Sequence, residues 1–290
     1  MIYKAKKSMG LNKFSNKNLS PSFSFHKAKK NLGQNFLKSA EALRKMCEAG
    51  EVNTTDTIVE IGPGKGALTE KLLEKAKLVI AVEKDRDLMN ILQEKFENEI
   101  KTGKLILLNE NILYFNPIKY GLIEGGYKII ANIPYNITGA IIKRFLSEVN
   151  KPMSMTLLVQ KEVAERIVAR DKKESILSLS VKAYSTPKYI MKVHKRFFSP
   201  SPKVDSAIIS ISGISNNCFI NKENEDSFFK LIKAAFAHKR KVLRKNLEEV
   251  ASMAIIDEMY ENLKINSKIR AEDLSFTIWF QILEFLNKKI

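Results

Sequence analysis

The chain alternates between short, continuous apolar runs and longer stretches in which apolar residues recur every three or four positions. Six of the runs read as buried strands: Ile58 to Ile61, Leu78 to Val82, Leu105 to Leu108, Tyr127 to Ala131, Met155 to Val159 and Ala207 to Ile211. Each is four or five residues long and rich in Ile, Val and Leu, as strands covered on both faces are. The intervening stretches carry helical spacing: one through Leu43 and Met46, one through Leu88, Ile91, Leu92 and Phe96, one from Ile137 to Val149, and an amphipathic one after Glu162. Strand and helix in regular alternation predict an α/β domain, a sheet with helices on both faces, over 29–212. From Gly213 to Asn221 the pattern breaks into Ser, Asn and Gly, which predicts a linker. Beyond it Phe228, Phe229, Leu231, Ile232, Ala235 and Phe236 recur at helical spacing with no strand pattern, predicting a small helical domain over 213–290.

Polar chemistry gathers where the runs end. The first is followed by Gly62-Pro63-Gly64-Lys65-Gly66, whose glycines let backbone N–H groups approach a ligand at the start of a helix. The second ends in Glu83, about 20 residues beyond the glycines, where a carboxylate can hold two ribose hydroxyls. The third ends in Asn109-Glu110-Asn111 and the fourth in Asn132-Ile133-Pro134-Tyr135. Open α/β sheets bind ligands at the carboxyl ends of their strands, so Gly62, Glu83, Asn111 and Asn132 are expected along one crevice. The pattern points to a nucleoside cofactor without choosing one, since Gly62-x-Gly64-x-x-Ala67 also satisfies a permissive dinucleotide fingerprint. The plainer alternative is a glycine turn without a ligand and a solvated Glu83 beside Lys84.

Asn132 to Tyr135 suits a planar nitrogen base. The Asn132 side-chain oxygen and the Ile133 carbonyl can accept from an exocyclic amine, Pro134 fixes its own φ, and the Tyr135 ring offers a stacking face. A strand end closed by an Asn-x-Pro turn would carry the same four residues. Later, Phe197-Phe198-Ser199-Pro200-Ser201-Pro202-Lys203-Val204-Asp205-Ser206 forms a proline-stiffened loop, in which Phe198 is either a second aromatic wall or core.

Composition adds a partner. Lys plus Arg number 49 against 32 Asp plus Glu, a net charge of +17 and a pI of about 9.6, so nucleic acid is the expected partner and anionic lipid the weaker one. Residues 1 to 30 hold eight lysines, five serines and no acid, which predicts a flexible basic arm over 1–28. No apolar core of a secretory signal stands there, and the first arginine is Arg44, which weakens an organellar transit reading. Lys239, Arg240, Lys241, Arg244 and Lys245 place cations on a helix face, either solvated or in contact with phosphate. No apolar stretch is long enough for a membrane helix. Cys47 and Cys218 have no metal-binding spacing, and His26, His194 and His238 are isolated, so no metal site is expected and the chain suits a reducing, cytoplasmic compartment.

Six ordered segments together resemble the ribosomal RNA adenine N6,N6-dimethyltransferases, specifically the kasugamycin-resistance enzymes of the small subunit. They are Gly33-Gln-Asn-Phe-Leu37, Glu60-Ile-Gly-Pro-Gly64, Asn132-Ile-Pro-Tyr-Asn136, Gln160-Lys-Glu-Val-Ala164, Pro200-Ser-Pro-Lys-Val-Asp-Ser206 and Arg270-Ala-Glu-Asp-Leu-Ser275. The resemblance implies a Rossmann-like class I methyltransferase sheet and S-adenosylmethionine rather than a nicotinamide cofactor. It also implies that Asn35 and Leu37 close over the methionine end, Gly62 and Gly64 lie beside the cofactor backbone, Glu83 holds the ribose, Asn111 meets the adenine, and Asn132 stands between cofactor and target. Asn132, Ile133, Pro134 and Tyr135 would then be catalytic, with Phe198 the opposite face for the base. The implied partner is ribosomal RNA of an immature small subunit, met by a monomer that dimethylates two adjacent adenines in a 3′-terminal hairpin. Two departures stand out. The family commonly has Asp where Asn111 stands. Ile133 replaces the usual Leu, as in erythromycin-resistance relatives that modify large-subunit RNA. A large-subunit enzyme and a non-catalytic RNA-binding assembly factor are the competing readings.

Overall fold

The computed structural model describes residues 28–29, 32–238 and 240–289. The expected basic arm, but for its last residue, lies outside the described residues, as does Lys239. Among the described residues nine strands form: β1 (Phe36–Leu37), β2 (Thr57–Ile61), β3 (Leu78–Val82), β4 (Leu105–Leu108), β5 (Lys128–Asn132), β6 (Ser154–Gln160), β7 (Thr186–Val193), β8 (Phe198–Ser199) and β9 (Ser206–Ser212). Between and after them lie α1 (Ala40–Ala49), α2 (Ala67–Leu73), α3 (Arg86–Lys95), α4 (Glu97–Lys101), α5 (Thr138–Ser147), α6 (Lys161–Ile167), α7 (Ile176–Lys182), α8 (Lys222–Ala235), α9 (Leu243–Asn246), α10 (Met253–Asn262) and α11 (Phe276–Lys289).

All six apolar runs are strands of one seven-stranded sheet, ordered β4-β3-β2-β5-β6-β9-β7. The first five run parallel, and β9 is antiparallel to both β6 and β7. From β2 the chain builds outward through β3 to β4, then returns to start β5 on the other side of β2. The two halves diverge there, which opens a crevice at the carboxyl ends of β2 and β5.

The period-two alternation of strand side chains divides the core between the two faces of the sheet. Ile58, Val79, Ala81, Ile130 and Leu158 meet Met46 of α1, Leu72 of α2 and Leu92 of α3 on one face. Val59, Ile61, Ile80, Ile129 and Leu157 meet α5, α6 and α7 on the other. Lys128 is the one charge buried at the start of β5, and its ammonium bonds the Glu51 carbonyl and the Asp56 carboxylate, both at 2.9 Å. A buried cation needs such a partner.

β7 was not legible as a strand. It is an edge strand whose Thr186, Lys188, Ile190 and Lys192 are exposed, with Pro187 near its start and an irregularity between Tyr189 and Met191, so its hydrophobic signal is halved. β1 and β8 are only two residues each and pair antiparallel, Leu37 opposite Phe198.

Beyond Ser212 the segment is helical, as expected. Its core is continuous with the sheet's second face: Phe228, Leu231, Trp279 and Leu283 belong to the same buried cluster as Val59 and Leu157. Trp279 is fully buried and is the chain's single tryptophan. Urea unfolding followed by Trp279 fluorescence should therefore share its midpoint with unfolding followed by far-ultraviolet circular dichroism. Separated midpoints would show that 213–290 unfolds as its own unit.

Candidate active site

A cavity of about 460 Å³ lies over the carboxyl ends of β2 to β5, and Gly62, Glu83, Asn111 and Asn132 all line it, as the strand-end argument required. Gly62 has φ +64°, and a Cβ there would meet nothing within 4 Å, so its backbone faces open space in the cleft. Gly64 (φ +61°) lies under the Phe36 ring, which a Cβ would approach to 3.0 Å. Its N–H donates to Glu83 Oε2 at 3.2 Å, and the Asp85 N–H donates to Glu83 Oε1 at 2.9 Å. Burial pushes the Glu83 carboxyl above the usual range, opposed by those two N–H groups.

The Gly33 to Leu37 loop forms the opposite wall. A Cβ on Gly33 would sit 3.2 Å from Asn136 Oδ1 and 3.5 Å from the Pro134 ring, so this loop packs directly on the strand end of β5. The Asn132 side-chain Nδ2 donates to the Asn35 carbonyl at 3.1 Å. Because a carbonyl can only accept, the amide orientation is determined, and Oδ1 is left as the free acceptor. Asn35 turns its own Nδ2 onto the Gly33 carbonyl at 3.1 Å. Leu37 is buried and lines the cleft. Ile133 is buried, while Pro134 and Tyr135 are half-buried beside it. The Tyr135 hydroxyl and Ser206 Oγ are 2.6 Å apart, which fixes the ring at its far end.

Sequence reasoning passed over three side chains. Glu60, inside β2, lines the cleft at 1% exposure with Oε2 lacking a hydrogen-bond partner, and burial raises its pKa to about 8. A charged residue within an apolar run was the available signal. Asp85 is buried and receives Lys29 Nζ at 2.6 Å and Gln34 Nε2 at 2.7 Å, tying the Gly33 to Leu37 loop to the start of α3. Ser206, fully buried, closes the proline-rich segment.

Three expectations need correction. Phe198 takes the core alternative: it is 4% exposed, packs with Leu37 and Ile208, and does not line the cleft. Asn111 lines the cleft as expected; its Oδ1 accepts from the Leu113 N–H at 3.1 Å and caps a single helical turn, with Nδ2 available as a donor. Glu110 also lines the cleft, with Oε1 receiving the Tyr120 hydroxyl at 2.9 Å. Arg240 and Lys241 sit in the turn before α9 rather than on a helix face. Arg244 is bound by Asp257 at 2.7 and 2.8 Å, whereas Lys245 is exposed.

The arrangement is a cleft with three carboxylates, a glycine-cradled floor and a fixed amide acceptor beside an aromatic ring. With this sheet order it defines a Rossmann-like class I methyltransferase. The family model for ribosomal RNA adenine dimethylase matches residues 25–288, and the chain belongs to that family. It is 40% identical to the ribosomal RNA small subunit methyltransferase A of Fusobacterium nucleatum over 90% of this chain and 98% of that one. It is also 40% identical to the protein of the same name from Dehalococcoides mccartyi, over 87% of this chain and 86% of that one. Among solved structures it resembles a dimethyladenosine transferase from Plasmodium falciparum, with TM-score 0.71 and 25% identity over 88% of this chain and 98% of that one. It also resembles the 23S rRNA methyltransferase ErmE in fold, with TM-score 0.73 and 22% identity over 87% of this chain and all of that one. No described helix is long and apolar enough to cross a membrane, and among the described residues no group of three His, Cys, Asp or Glu could hold a metal ion.

Glu60 allows a test of the cleft's electrostatics. Its folded pKa of about 8 lies above the ordinary 4.5, so the stability it contributes is complete below pH 4.5 and is lost as pH rises through about 8. The melting temperature of the wild-type protein relative to Glu60→Gln should therefore fall between about pH 5 and 8 and level off above, each 1 kcal/mol being worth roughly 2–4 °C. A flat difference across that range would show that Glu60 is ionised throughout.

Proposed function

We propose that this chain transfers methyl groups from S-adenosylmethionine to N6 of adenines in small-subunit ribosomal RNA, dimethylating two adjacent adenines of a 3′-terminal hairpin during subunit assembly. The observation that carries the reading is the Asn132 amide, locked by its bond to Asn35 so that Oδ1 can only accept. The shared name of the two bacterial relatives supports the small subunit over the large.

The residues present fit the cofactor. The cavity is within the size range of ligand pockets. Glu60 and Glu83 suit a cationic ligand carrying a ribose, and the open backbone at Gly62 leaves room for its chain. Asn35 and Leu37 cover the end nearest Asn132, and Gly64 supports the ribose-holding carboxylate. When bound, S-adenosylmethionine supplies an electrophilic methyl group on a sulfonium.

The protein's own part is orientation. An adenine amine is a poor nucleophile because its lone pair is delocalised into the ring. Acceptance by Asn132 Oδ1 and the Ile133 carbonyl favours a pyramidal nitrogen whose lone pair points into the cleft. Pro134 aims that carbonyl, and Tyr135, held by Ser206, stacks on the base at roughly 1 to 3 kcal/mol. No covalent enzyme intermediate is required, so catalysis rests on position and electrostatics.

Incubating immature small subunits, free small-subunit RNA and large-subunit RNA with labelled S-adenosylmethionine, then mapping the modified base, tests the reading. Label on large-subunit RNA alone would overturn it. Asn132→Ala should lower single-turnover transfer by about 10² to 10³ while RNA binding survives. A loss under about tenfold, roughly 1.4 kcal/mol, would remove the assigned role. Asn111→Ala should weaken cofactor binding in a calorimetric titration, because it loses both the turn cap and the Nδ2 donor. Asn111→Asp keeps the cap and should change the dissociation constant by no more than about tenfold. If Glu110→Ala carries the loss and Asn111→Ala is silent, the adenine contact belongs to Glu110.

A further inference from the structure

From Thr186 to Val204 the chain carries Lys188, Lys192, Lys195, Arg196 and Lys203 and no acid. The first acid, Asp205, engages Lys192 Nζ at 2.9 Å and the Lys195 backbone N–H at 2.9 Å, which hold its carboxyl down to about 2. Lys195, Arg196 and Lys203 are exposed and make no ion pair among the described residues. The Arg196 guanidinium lies over the Phe197 ring at 5.0 Å, which stiffens it without neutralising it.

The position of these cations is set by the sheet. Both β6 and β7 are antiparallel to β9, so β7 runs the same way as the parallel strands and its carboxyl end opens on the side of the cleft. The loop that follows is fastened to the base-binding end at several points. β8 pairs with β1, the Lys38 N–H donates to the Phe197 carbonyl at 2.8 Å, and Ser199 lines the cleft itself. The Lys161 N–H donates to the Asp205 carbonyl at 3.0 Å, and Ser206 meets the Tyr135 hydroxyl. Three unneutralised cations are thus carried on a braced loop beside the ring that would stack on a target base.

We propose that Lys195, Arg196 and Lys203 form a phosphate clamp at the rim of the cleft, gripping the RNA backbone next to the adenine that is drawn out of its stack. This rests on the methyltransferase reading above. A base leaves its stack at a cost of a few kcal/mol, and fixed phosphate contacts beside it hold the distorted strand in place. Arg240, Lys241 and Lys245, carried on the C-terminal helical segment, attract RNA without bracing the reacting nucleotide. The two groups of cations therefore differ in effect: the rim acts on affinity and on transfer from bound RNA, the helical segment on affinity alone.

The test compares full-length wild-type protein, the triple variant Lys195→Gln, Arg196→Gln, Lys203→Gln, and the double variant Arg240→Gln, Lys241→Gln. Each is assayed with immature small subunits and labelled S-adenosylmethionine. The triple variant should bind RNA with a salt dependence flattened by about two units, from three lost contacts at roughly 0.7 each. Its single-turnover rate at saturating RNA should fall at least about tenfold, with cofactor affinity by calorimetry unchanged. The double variant should lose affinity but keep its rate at saturation. Lys195→Arg with Lys203→Arg, which keeps the charge, should retain both slope and rate. An unchanged slope in the triple variant, or a flattened slope with an intact saturating rate, would overturn the clamp. Absence of transfer by the wild type would instead overturn the methyltransferase reading.

Discussion

The hydrogen bond from Asn132 Nδ2 to the Asn35 carbonyl is the constraint on which the site depends. A free strand-end amide could turn either of its atoms to the cleft, and only one choice presents an acceptor. Fixing that choice requires the Asn35 backbone to be held against β5 from a segment 97 residues earlier in the chain. Three devices hold it. Gly33 lets the loop lie against Pro134 and Asn136, the β1–β8 pair fastens its far end, and Asp85 ties Gln34 and Lys29 to the start of α3. Together they hold the Asn35 carbonyl in place, the form of preorganisation that an amide acting on a transition state without rearranging would need.

Charge burial shows the same division between structure and site. Lys128 and Glu60 both lie within apolar strands of the sheet, and both would be costly if ionised alone. Lys128 sits at the amino end of β5, away from the cleft, and is satisfied by Glu51 and Asp56. Glu60 sits at the carboxyl end of β2, lines the cleft, and leaves one oxygen without a partner. A buried acid left unsatisfied by the fold is destabilising unless protonated or met by a cationic group. Its location identifies the cleft as a place that tolerates such strain because a ligand can relieve it.

Much of this was legible in the sequence because strands covered on both faces leave a nearly continuous apolar run. Polar residues at the ends of such runs project to one edge, so Gly62, Glu83, Asn111 and Asn132 could be brought together without a structure. The elements that escaped lack that signal. β7 has one face in water, and β1 and β8 are two residues long and exist only because they pair with each other. Phe198 could not be assigned because an aromatic beside a cleft and an aromatic under it have the same local sequence; its register opposite Leu37 decides for the core. Asn111 shows a subtler limit. Its place at the strand end was legible, but its Oδ1 is engaged by the Leu113 N–H, and which atom a side chain offers depends on such local competition.

The charge of +17 poses the same problem over the whole surface. It names an anionic partner but not where contact occurs, because a cation matched to a carboxylate contributes little to an external field. Arg244 and Arg240 are four residues apart in one basic run, yet a bidentate bond to Asp257 makes the first a brace between α9 and α10 and leaves the second exposed. Lys192 and Lys195 differ in the same way: Asp205 neutralises the first, and its contact with the second is through the backbone N–H, leaving that ammonium to the Lys203 carbonyl at 3.5 Å and without a carboxylate. Electrostatic recognition here is therefore set less by the number of lysines than by where the acids fall. The acid-free interval from Thr186 to Val204 carries the field to the mouth of the cleft.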